Sequence, residues 1–340
     1  MDVVGQPDQS AAALAFTDGA DGVLSWRYDW NRPQLAALYE KSAASQWVGA
    51  ELDWDRDVDL DRVASEQHPL AHVVRRATQL PGSPIARWGE REIARLTREN
   101  FAARLSEFLH GEQGAMLTAA KLVEAVPWMD AKLTAATQAM DEARHTEVFA
   151  RYITTKVGSV YPMGPYLHSL VLSVLEDSRW DVAYLGMQVV IESLGLAAFG
   201  DMLRRTSEPL LASLLRAVMA DEGRHVAFGL LTLGEYYAQL SAAELRERQD
   251  FLAEATASRH LGSVGDVVWS RFGIERRDVA PYLAQASAEV GGAAPGVFKV
   301  FLGRLIPNVR KLGLLDANDG YLRRRWERSG LLAFEHAAPS

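Results

Sequence analysis

The sequence predicts an all-α protein, in which long helices surround a buried core. Of its 340 residues, 48% are hydrophobic, which suffices for a sizeable core in one large domain or two ordinary ones. Apolar residues recur at helical spacing, and no alternating runs bounded by Asn-Gly or Asp-Gly turns stand out. The pattern Asp-Glu-x-Arg-His occurs twice, within MDEARHTEVF and MADEGRHVAF, which indicates a repeated helix pair.

The first 86 residues predict only one clear helix. Residues 1–25 are small, polar and glycine-containing, and we expect a flexible N-terminal arm. A helix is predicted from Pro33 to about residue 47, followed by an acidic loop and by residues 63–86, which three prolines interrupt.

Pro127 suits the first turn of a later helix. Further helices are predicted over 88–124, 127–157, 164–175, 178–205, 207–238 and 242–260, with shorter pieces in the tail.

Composition excludes several classes of function. A net charge of -8 and a pI of about 5.6 argue against a nucleic-acid or membrane partner. The absence of cysteine removes disulfides, Cys-ligated zinc, Fe–S clusters and thiol nucleophiles, and it favours the cytoplasm. The N-terminus lacks the basic region of a secretory signal. Residues 182–200 are apolar, but Glu192 in their middle indicates a buried core helix rather than a membrane span.

Two Glu-x-x-His motifs indicate a metal site. Residues three apart share one face of a helix, so Glu142 points with His145 and Glu222 points with His225. A third match, Glu107-x-x-His110, lacks the flanking pattern, and we interpret it as a chance match with surface roles.

Two further glutamates, Glu112 and Glu192, each precede a motif by 30 residues, which in an antiparallel hairpin places them level with it. Four Glu and two His then meet at one point, as in di-iron and di-manganese carboxylate bundles. Apolar residues flank Glu192, and a buried carboxylate is costly unless it is neutralised or coordinated. A buried Glu/Arg/His network without metal is the alternative.

The residues beside each motif suit a supporting role. A metal-binding histidine usually donates its second N–H to a carboxylate, and Asp141 and Asp221 are the candidate acceptors, across to the other half's histidine. Arg144 and Arg224 are candidates to hold these aspartates by bidentate pairing. The alternative is ordinary Asp–Arg pairs at the surface.

Residues 34–240 resemble the ferritin-like non-haem diiron oxidases and oxygenases, on Glu112, Glu142-Ala-Arg-His145, Glu192 and Glu222-Gly-Arg-His225. The tail NVRKLGLL is similar to the end of the p-aminobenzoate N-oxygenase group. That group has an additional His ligand one turn before the second motif, where this chain has Val218.

The resemblance implies a ferritin-like four-helix bundle core with additional surrounding helices. We expect one domain over 26–328, its metal-binding bundle at about 88–240, and a C-terminal tail over 329–340. The catalytic group is then the diiron centre itself, with two Fe ions, Mn as a possible substitute and O₂ as co-substrate. The implied function is hydroxylation, N-oxygenation or a related oxidation of a small organic, biosynthetic substrate. No flavin, nicotinamide or Fe–S motif is visible, so we expect an external reductase or ferredoxin, and a homodimer.

Related families leave alternatives. The radical subunit of ribonucleotide reductase usually has Asp as first ligand and a nearby Tyr, where this chain has Glu112 and Phe149. Soluble acyl-carrier-protein desaturases share the six-ligand pattern, and manganese catalases use a related set. Iron storage is the non-catalytic alternative. Helical spacing from the predicted ligands gives candidate pocket residues, although an aromatic stripe is often core: Phe108, Gln138, Phe149, Tyr184, Gln188 and Val218.

Overall fold

A computed structural model of the chain describes residues 13–17, 21–26, 28, 31–67, 70–257, 264–290 and 296–335. The strands are β1 (Ala13–Thr17) and β2 (Asp21–Ser25). The helices are α1 (Pro33–Ala44), α2 (Leu60–Gln67), α3 (Leu70–Thr78), α4 (Glu90–Ala125), α5 (Met129–Tyr152), α6 (Pro165–Glu176), α7 (Trp180–Tyr184), α8 (Glu192–Arg205), α9 (Pro209–Tyr237), α10 (Ala242–Ala257), α11 (Val264–Ser270), α12 (Arg276–Val290), α13 (Val297–Lys311) and α14 (Ala317–Arg328). Short 3₁₀ turns lie at Gly49–Glu51 and Leu331–Phe334.

Four long helical segments form the central bundle, as the fold class predicted. Helices α4 and α5 pack along each other, as do α8 and α9, and α5 contacts α9 across the bundle. Two π-helical segments interrupt the regular pattern, Ile153–Val157 after α5 and Leu185–Ile191 between α7 and α8. The second one ends directly before Glu192, and π-helical turns are frequent at functional sites.

The remaining helices surround the bundle, as expected for the additional length of the chain. Helix α1 lies across α5 and α9, and α2 contacts α4. In the C-terminal part, α11 packs on α4, α12 packs on α3, and α13 packs on α8. The apolar tail segment therefore covers one side of the bundle.

The structure differs from the sequence expectations in two places. Strands β1 and β2 form an antiparallel hairpin with Ala13 opposite Ser25, and β2 contacts α4. The all-α class stands, but the flexible arm predicted over residues 1–25 overlaps this strand pair, and residues 1–12 and 18–20 of that arm lie outside the described residues. The Asp-Gly pair between the two strands is the strand signal that the sequence analysis missed. Pro127 precedes the N-cap residue Trp128, so it lies just outside α5 rather than in its first turn.

Among the described residues, the segment Trp180–Arg205 is long and apolar enough to cross a membrane. However, 83% of its apolar window is buried inside the fold. It is therefore a core helix of the bundle, as the position of Glu192 predicted.

Gly186, in the second π-helical segment, marks a close approach between elements. A Cβ on Gly186 would overlap Cγ2 of Val174 and lie 2.8 Å from Cζ of Phe251. We expect Gly186→Ala to destabilise the protein by about 1–3 kcal/mol, because overpacking outweighs the gain in helix propensity. Chemical denaturation measures the loss in the free energy of unfolding. The control is Gly234→Ala in α9, where a Cβ meets nothing within 4 Å, and an equal loss there would contradict the packing argument.

Candidate metal centre

The structure brings the six predicted ligands together in the middle of the bundle. Each bundle helix contributes one glutamate. Glu112 lies in α4, and the two Glu-x-x-His motifs lie in α5 and α9. Helix α8 begins at Glu192. All six side chains are buried, with between 0% and 5% of their surface exposed: Glu112, Glu142, His145, Glu192, Glu222 and His225.

The first group of possible ligands surrounds His145. Its Nδ1 atom lies 3.2 Å from Oε2 of Glu112, 3.2 Å from Oε2 of Glu142 and 3.2 Å from Oε1 of Glu222. One ligand atom from each of these four residues lies within 4.8 Å of the others, so the group can hold one metal ion.

The second group surrounds His225. Its Nδ1 atom lies 2.9 Å from Oε1 of Glu142, 3.2 Å from Oε2 of Glu222 and 3.7 Å from Oε1 of Glu192. One ligand atom from each of these four residues also lies within 4.8 Å of the others. Glu142 and Glu222 belong to both groups, and each turns one oxygen towards each imidazole. Such carboxylates can bridge two ions.

The donor chemistry fits a pair of divalent ions. Four buried carboxylates face two imidazoles, and isolated buried carboxylates are too costly to persist without compensation. Two divalent cations would balance four carboxylates. Oxygen and nitrogen donors without sulfur suit iron or manganese. The arginines do not replace the cations, because Arg144 and Arg224 pair with aspartates rather than with these glutamates.

Each imidazole is oriented from behind by an aspartate of the opposite half. Nε2 of His145 lies 3.0 Å from Oδ2 of Asp221, and Nε2 of His225 lies 3.3 Å from Oδ2 of Asp141. An Nε2–H donated to a carboxylate leaves Nδ1 with its lone pair directed at the metal position. The crossed arrangement is the one that the sequence suggested.

The two arginines connect the aspartates. Nη2 of Arg144 lies 2.5 Å from Oδ1 of Asp141 and 3.0 Å from Oδ2 of Asp221. Arg224 donates to Asp221 through Nη2, which lies 3.8 Å from Oδ2 of Asp141. Each guanidinium therefore spans both aspartates through one nitrogen instead of forming the expected bidentate pair with one of them. Both arginines are buried, so these are not surface pairs.

The segment after α1 supplies two contacts that sequence reasoning missed. Nε2 of Gln46 donates to Oδ1 of Asp141 at 2.8 Å, and Nε1 of Trp47 donates to Oδ2 of Asp221 at 2.8 Å. The Trp47 ring also stacks on His145, with 6.4 Å between ring centroids. No local spacing links residues so distant in sequence.

A buried amide pair lies one turn before two of the glutamates. Gln138 and Gln188 exchange hydrogen bonds, and Nε2 of Gln138 lies 3.1 Å from both Oε1 of Glu142 and Oε1 of Glu192. The amide thus donates to the same two carboxylate oxygens that face Nδ1 of His225. Both amides have partners, as buried amides require.

A cavity of about 670 Å³ opens onto the centre. Glu112, Glu192 and Glu222 lie in its wall, next to apolar residues such as Phe108 and Phe199. Its size falls in the range of small-molecule sites, about 300–1,000 Å³.

Of the six predicted pocket residues, Phe108 lines this cavity. Phe149 lies behind it, with 5.7 Å between their ring centroids. The hydroxyl of Tyr184 contacts Thr232, and Val218 is part of the apolar core. These three residues and the two amides are outside the lining, because the cavity opens from Glu192 towards the C-terminal end of α8.

The carboxyl groups of the site differ in the direction in which their pKa is shifted. Burial raises the pKa of Glu112 and of Glu192 well above the usual range, and the neighbouring Glu222 carboxylate adds to both rises. Burial would also raise the pKa of Glu142, but the imidazoles of His225 and His145 outweigh it and hold the pKa well below the usual range.

The pKa of both imidazoles is raised in the metal-free protein. Burial opposes the charge of His145, but hydrogen bonds to Asp221 and Glu112 outweigh it and raise the pKa well above its usual value. For His225, the Glu142 carboxylate leads the groups that outweigh burial, and its pKa also rises.

Metal binding should therefore release protons. Two carboxyls and two imidazoles retain protons to higher pH than in water, and each must lose one to bind a cation, so we expect up to about four protons per two ions. Affinity should rise with pH, because the competing protons leave as pH increases. Calorimetric titration with Mn²⁺ in two buffers of different ionisation enthalpy counts the protons. An affinity that stays constant between about pH 6 and pH 8 would contradict this expectation.

Comparisons with known proteins show the fold alone. No family model matches the sequence, and no curated protein matches it. A solved structure of an R2-like ligand-binding oxidase variant with an anaerobically reconstituted Mn/Fe cofactor has a TM-score of 0.50 at 15% identity, over 84% of this chain and 95% of that chain. The R2-like ligand-binding oxidase from Sulfolobus acidocaldarius has a TM-score of 0.49 at 15% identity, over 76% and 96%. The first of these similarities shows the fold of the chain, a ferritin-like helical bundle.

Proposed function

We propose that the protein is a dimetal oxidase or oxygenase that uses O₂ to oxidise a small organic substrate. The observation that carries the proposal is the pair of buried four-residue groups that share Glu142 and Glu222 beside a substrate-sized cavity. The similar structure with a Mn/Fe cofactor is that of an R2-like ligand-binding oxidase, which supports the proposal. We propose iron as the metal in both positions, with manganese as the substitute.

The residues of the chain divide the task. The four glutamates and two histidines hold the ions, and the crossed aspartates fix the imidazole orientation. When bound, a pair of reduced iron ions supplies electrons to O₂ next to the cavity. The apolar walls around Phe108 and Phe199 exclude water and place the substrate against the carboxylates.

Electron balance requires a partner. Insertion of one oxygen atom consumes O₂, two electrons and two protons, and yields the oxidised substrate and water. The sequence contains no motif for an organic or Fe–S electron carrier, so we propose an external reductase or ferredoxin. A non-catalytic storage role has no use for an apolar cavity that opens onto the ligand carboxylates.

The test is anaerobic reconstitution with Fe²⁺ followed by mixing with O₂ in stopped-flow absorbance. We expect about two irons per chain, held by the two groups, and a transient visible band after mixing. Failure to bind iron, or steady iron oxidation with growth of a mineral core and no transient band, would overturn the proposal.

A further inference from the structure

Two buried glutamines lie beside the metal centre, outside the lining of the cavity. Gln138 of α5 is 1% exposed, and Gln188 of the π-helical segment Leu185–Ile191 is 0% exposed. A buried amide requires partners for its oxygen and its nitrogen, and these two amides supply part of that requirement to each other. The remaining donor capacity of Gln138 is directed at ligand carboxylates.

Gln188 fixes the orientation of the Gln138 amide. Nε2 of Gln188 donates to Oε1 of Gln138, and Nε2 of Gln138 donates to Oε1 of Gln188 at 3.0 Å. Because the oxygen of Gln138 is occupied in this pair, its nitrogen is presented to the carboxylates. The flipped amide would place its oxygen against carboxylate oxygens, which have no hydrogen to donate when they are ionised.

One N–H of Gln138 serves two glutamates. Its Nε2 lies 3.1 Å from Oε1 of Glu142 and 3.1 Å from Oε1 of Glu192, in addition to its bond to Gln188. An amide nitrogen carries two hydrogens, so with one of them used by Gln188 the other is shared between the two carboxylates. The shared bond connects α5 to the first residue of α8 and sets the position of both oxygens.

These two oxygens belong to one of the two metal positions. Oε1 of Glu142 lies 2.9 Å and Oε1 of Glu192 lies 3.7 Å from Nδ1 of His225. The group around His145 uses the other oxygen of Glu142. Within the described parts of the chain, neither amide hydrogen-bonds to that oxygen or to the remaining ligands of that group. The amide pair therefore contacts the position beside His225 alone.

Close packing holds Gln188 in place. A Cβ on Gly229 of α9 would lie 2.5 Å from Cβ and 3.3 Å from Cγ of Gln188. A glycine at this position allows α9 to approach the π-helical segment closely, so the Gln188 side chain has little space in which to move. The amide pair is thus a rigid part of the core.

We propose that Gln138 is a positioning residue for the ion beside His225, that Gln188 orients it, and that the ion beside His145 does not depend on this pair. A partner that fixes the direction of a ligand oxygen supports metal binding without touching the metal. The inference rests on the proposed function for the presence of two ions, but it requires no O₂ chemistry.

The test is calorimetric titration of the metal-free protein with Mn²⁺, for the wild type and for Gln138→Leu. Leucine is close to glutamine in size, so the core stays filled while the N–H is lost. We expect one binding step to weaken by about 10–100-fold and the other step to stay unchanged. Gln188→Leu should weaken the same step by a smaller factor, because it acts through the orientation of Gln138.

Two single-ion backgrounds assign the weakened step. Glu112 belongs to the group around His145 alone, and Glu192 belongs to the group around His225 alone. Added to Glu112→Ala, Gln138→Leu should weaken the one remaining ion by about 10–100-fold. Added to Glu192→Ala, it should leave the remaining ion unchanged. The reverse pattern would overturn the proposal.

The matched control is Gln249→Leu. Gln249 is also fully buried, and its Nε2 donates to the carbonyl oxygens of Leu314 at 2.7 Å and of Ala317 at 3.0 Å, away from the predicted ligands. This variant should lower the unfolding temperature, as loss of a buried amide does, but leave Mn²⁺ binding unchanged. Weakening of the same step by Gln249→Leu would assign the effect to a loosened core and overturn the proposal.

Two further outcomes would overturn it. They are a Gln138→Leu variant that binds Mn²⁺ as the wild type does, and a variant that weakens both positions equally. If the wild type binds both ions and Gln138→Leu is unaffected, this proposal fails alone. If the wild type binds no Mn²⁺, the proposed function fails with it.

Discussion

Replacement of Glu142 by alanine should abolish the binding of both metal ions, although the change removes only one carboxylate. Its Oε2 faces His145 and its Oε1 faces His225, so the side chain belongs to both ligand groups. Removal of a shared ligand weakens both positions, and we expect each ion to bind at least about 100-fold more weakly. The alanine variant should contain almost no metal after dialysis.

Replacement of Glu112 provides the contrast. Glu112 belongs to the group around His145 alone, so Glu112→Ala should lose one ion and keep the ion beside His225. The third Glu-x-x-His match supplies the control: Glu107→Ala should retain about two ions per chain. Metal analysis gives the stoichiometry, and far-UV circular dichroism confirms that each variant is folded.

A second readout separates metal loss from misfolding. Metal that binds only the folded state raises the unfolding temperature. Added Mn²⁺ should therefore stabilise the wild type and Glu107→Ala, but not Glu142→Ala. If Glu142→Ala keeps one ion and Glu112→Ala loses both, the shared role belongs to a different glutamate and the two-group geometry is incorrect.

Local spacing was sufficient to predict which six side chains meet inside the bundle. Glu-x-x-His fixes a face of one helix, and 30 residues fix the level of Glu112 and Glu192 on the partner helices. These two spacings depend only on adjacent helices, so they predict the position of the side chains without knowledge of the tertiary fold. The crossed contacts from Asp141 and Asp221 follow from the pseudo-repeat, because each half presents its acid to the other half.

The cavity was not predictable in the same way. Helical spacing predicts which face of a helix points at the site, but it does not predict at which end of the site a cavity remains. The predicted pocket residues that precede Glu192 are packed in the core. The cavity lies towards Ala198 and Phe199, about two turns after Glu192. Arg276 lies in the cavity wall and belongs to α12, whose position depends on long-range packing, and Trp47 reaches Asp221 across 174 residues of sequence. No local signal encodes either contact.

Asp221→Asn should have the largest effect on stability among the supporting residues. The Asp221 carboxylate accepts from Trp47, faces His145, and contacts Arg144 and Arg224, and it is 1% exposed. Loss of its charge leaves the two buried guanidinium groups with Asp141 alone. Breaking a buried charge network costs about 3–5 kcal/mol, and we expect the free energy of unfolding of the metal-free protein to fall by that amount.

The same change should weaken metal binding. An uncharged side chain at position 221 no longer accepts the Nε2–H of His145 as a carboxylate does, so the imidazole loses its fixed orientation and basicity. We expect affinity to fall by about 10–100-fold. Asp250→Asn is the control, because Asp250 forms an exposed ion pair with Arg325 at 3.2 Å, worth about 0–1 kcal/mol.

The pH dependence distinguishes a charge effect from a packing effect. Burial alone would raise the pKa of Asp221, but its hydrogen bond and charge interaction with His145 outweigh it and hold the folded pKa below the ordinary value. A lowered pKa contributes stability above the unfolded value, about 4, and the contribution is lost as pH falls towards the folded value. The stability gap between wild type and Asp221→Asn should be full near neutral pH and shrink below about pH 4. A gap that stays constant on acidification would assign the loss to packing and refute the charge argument.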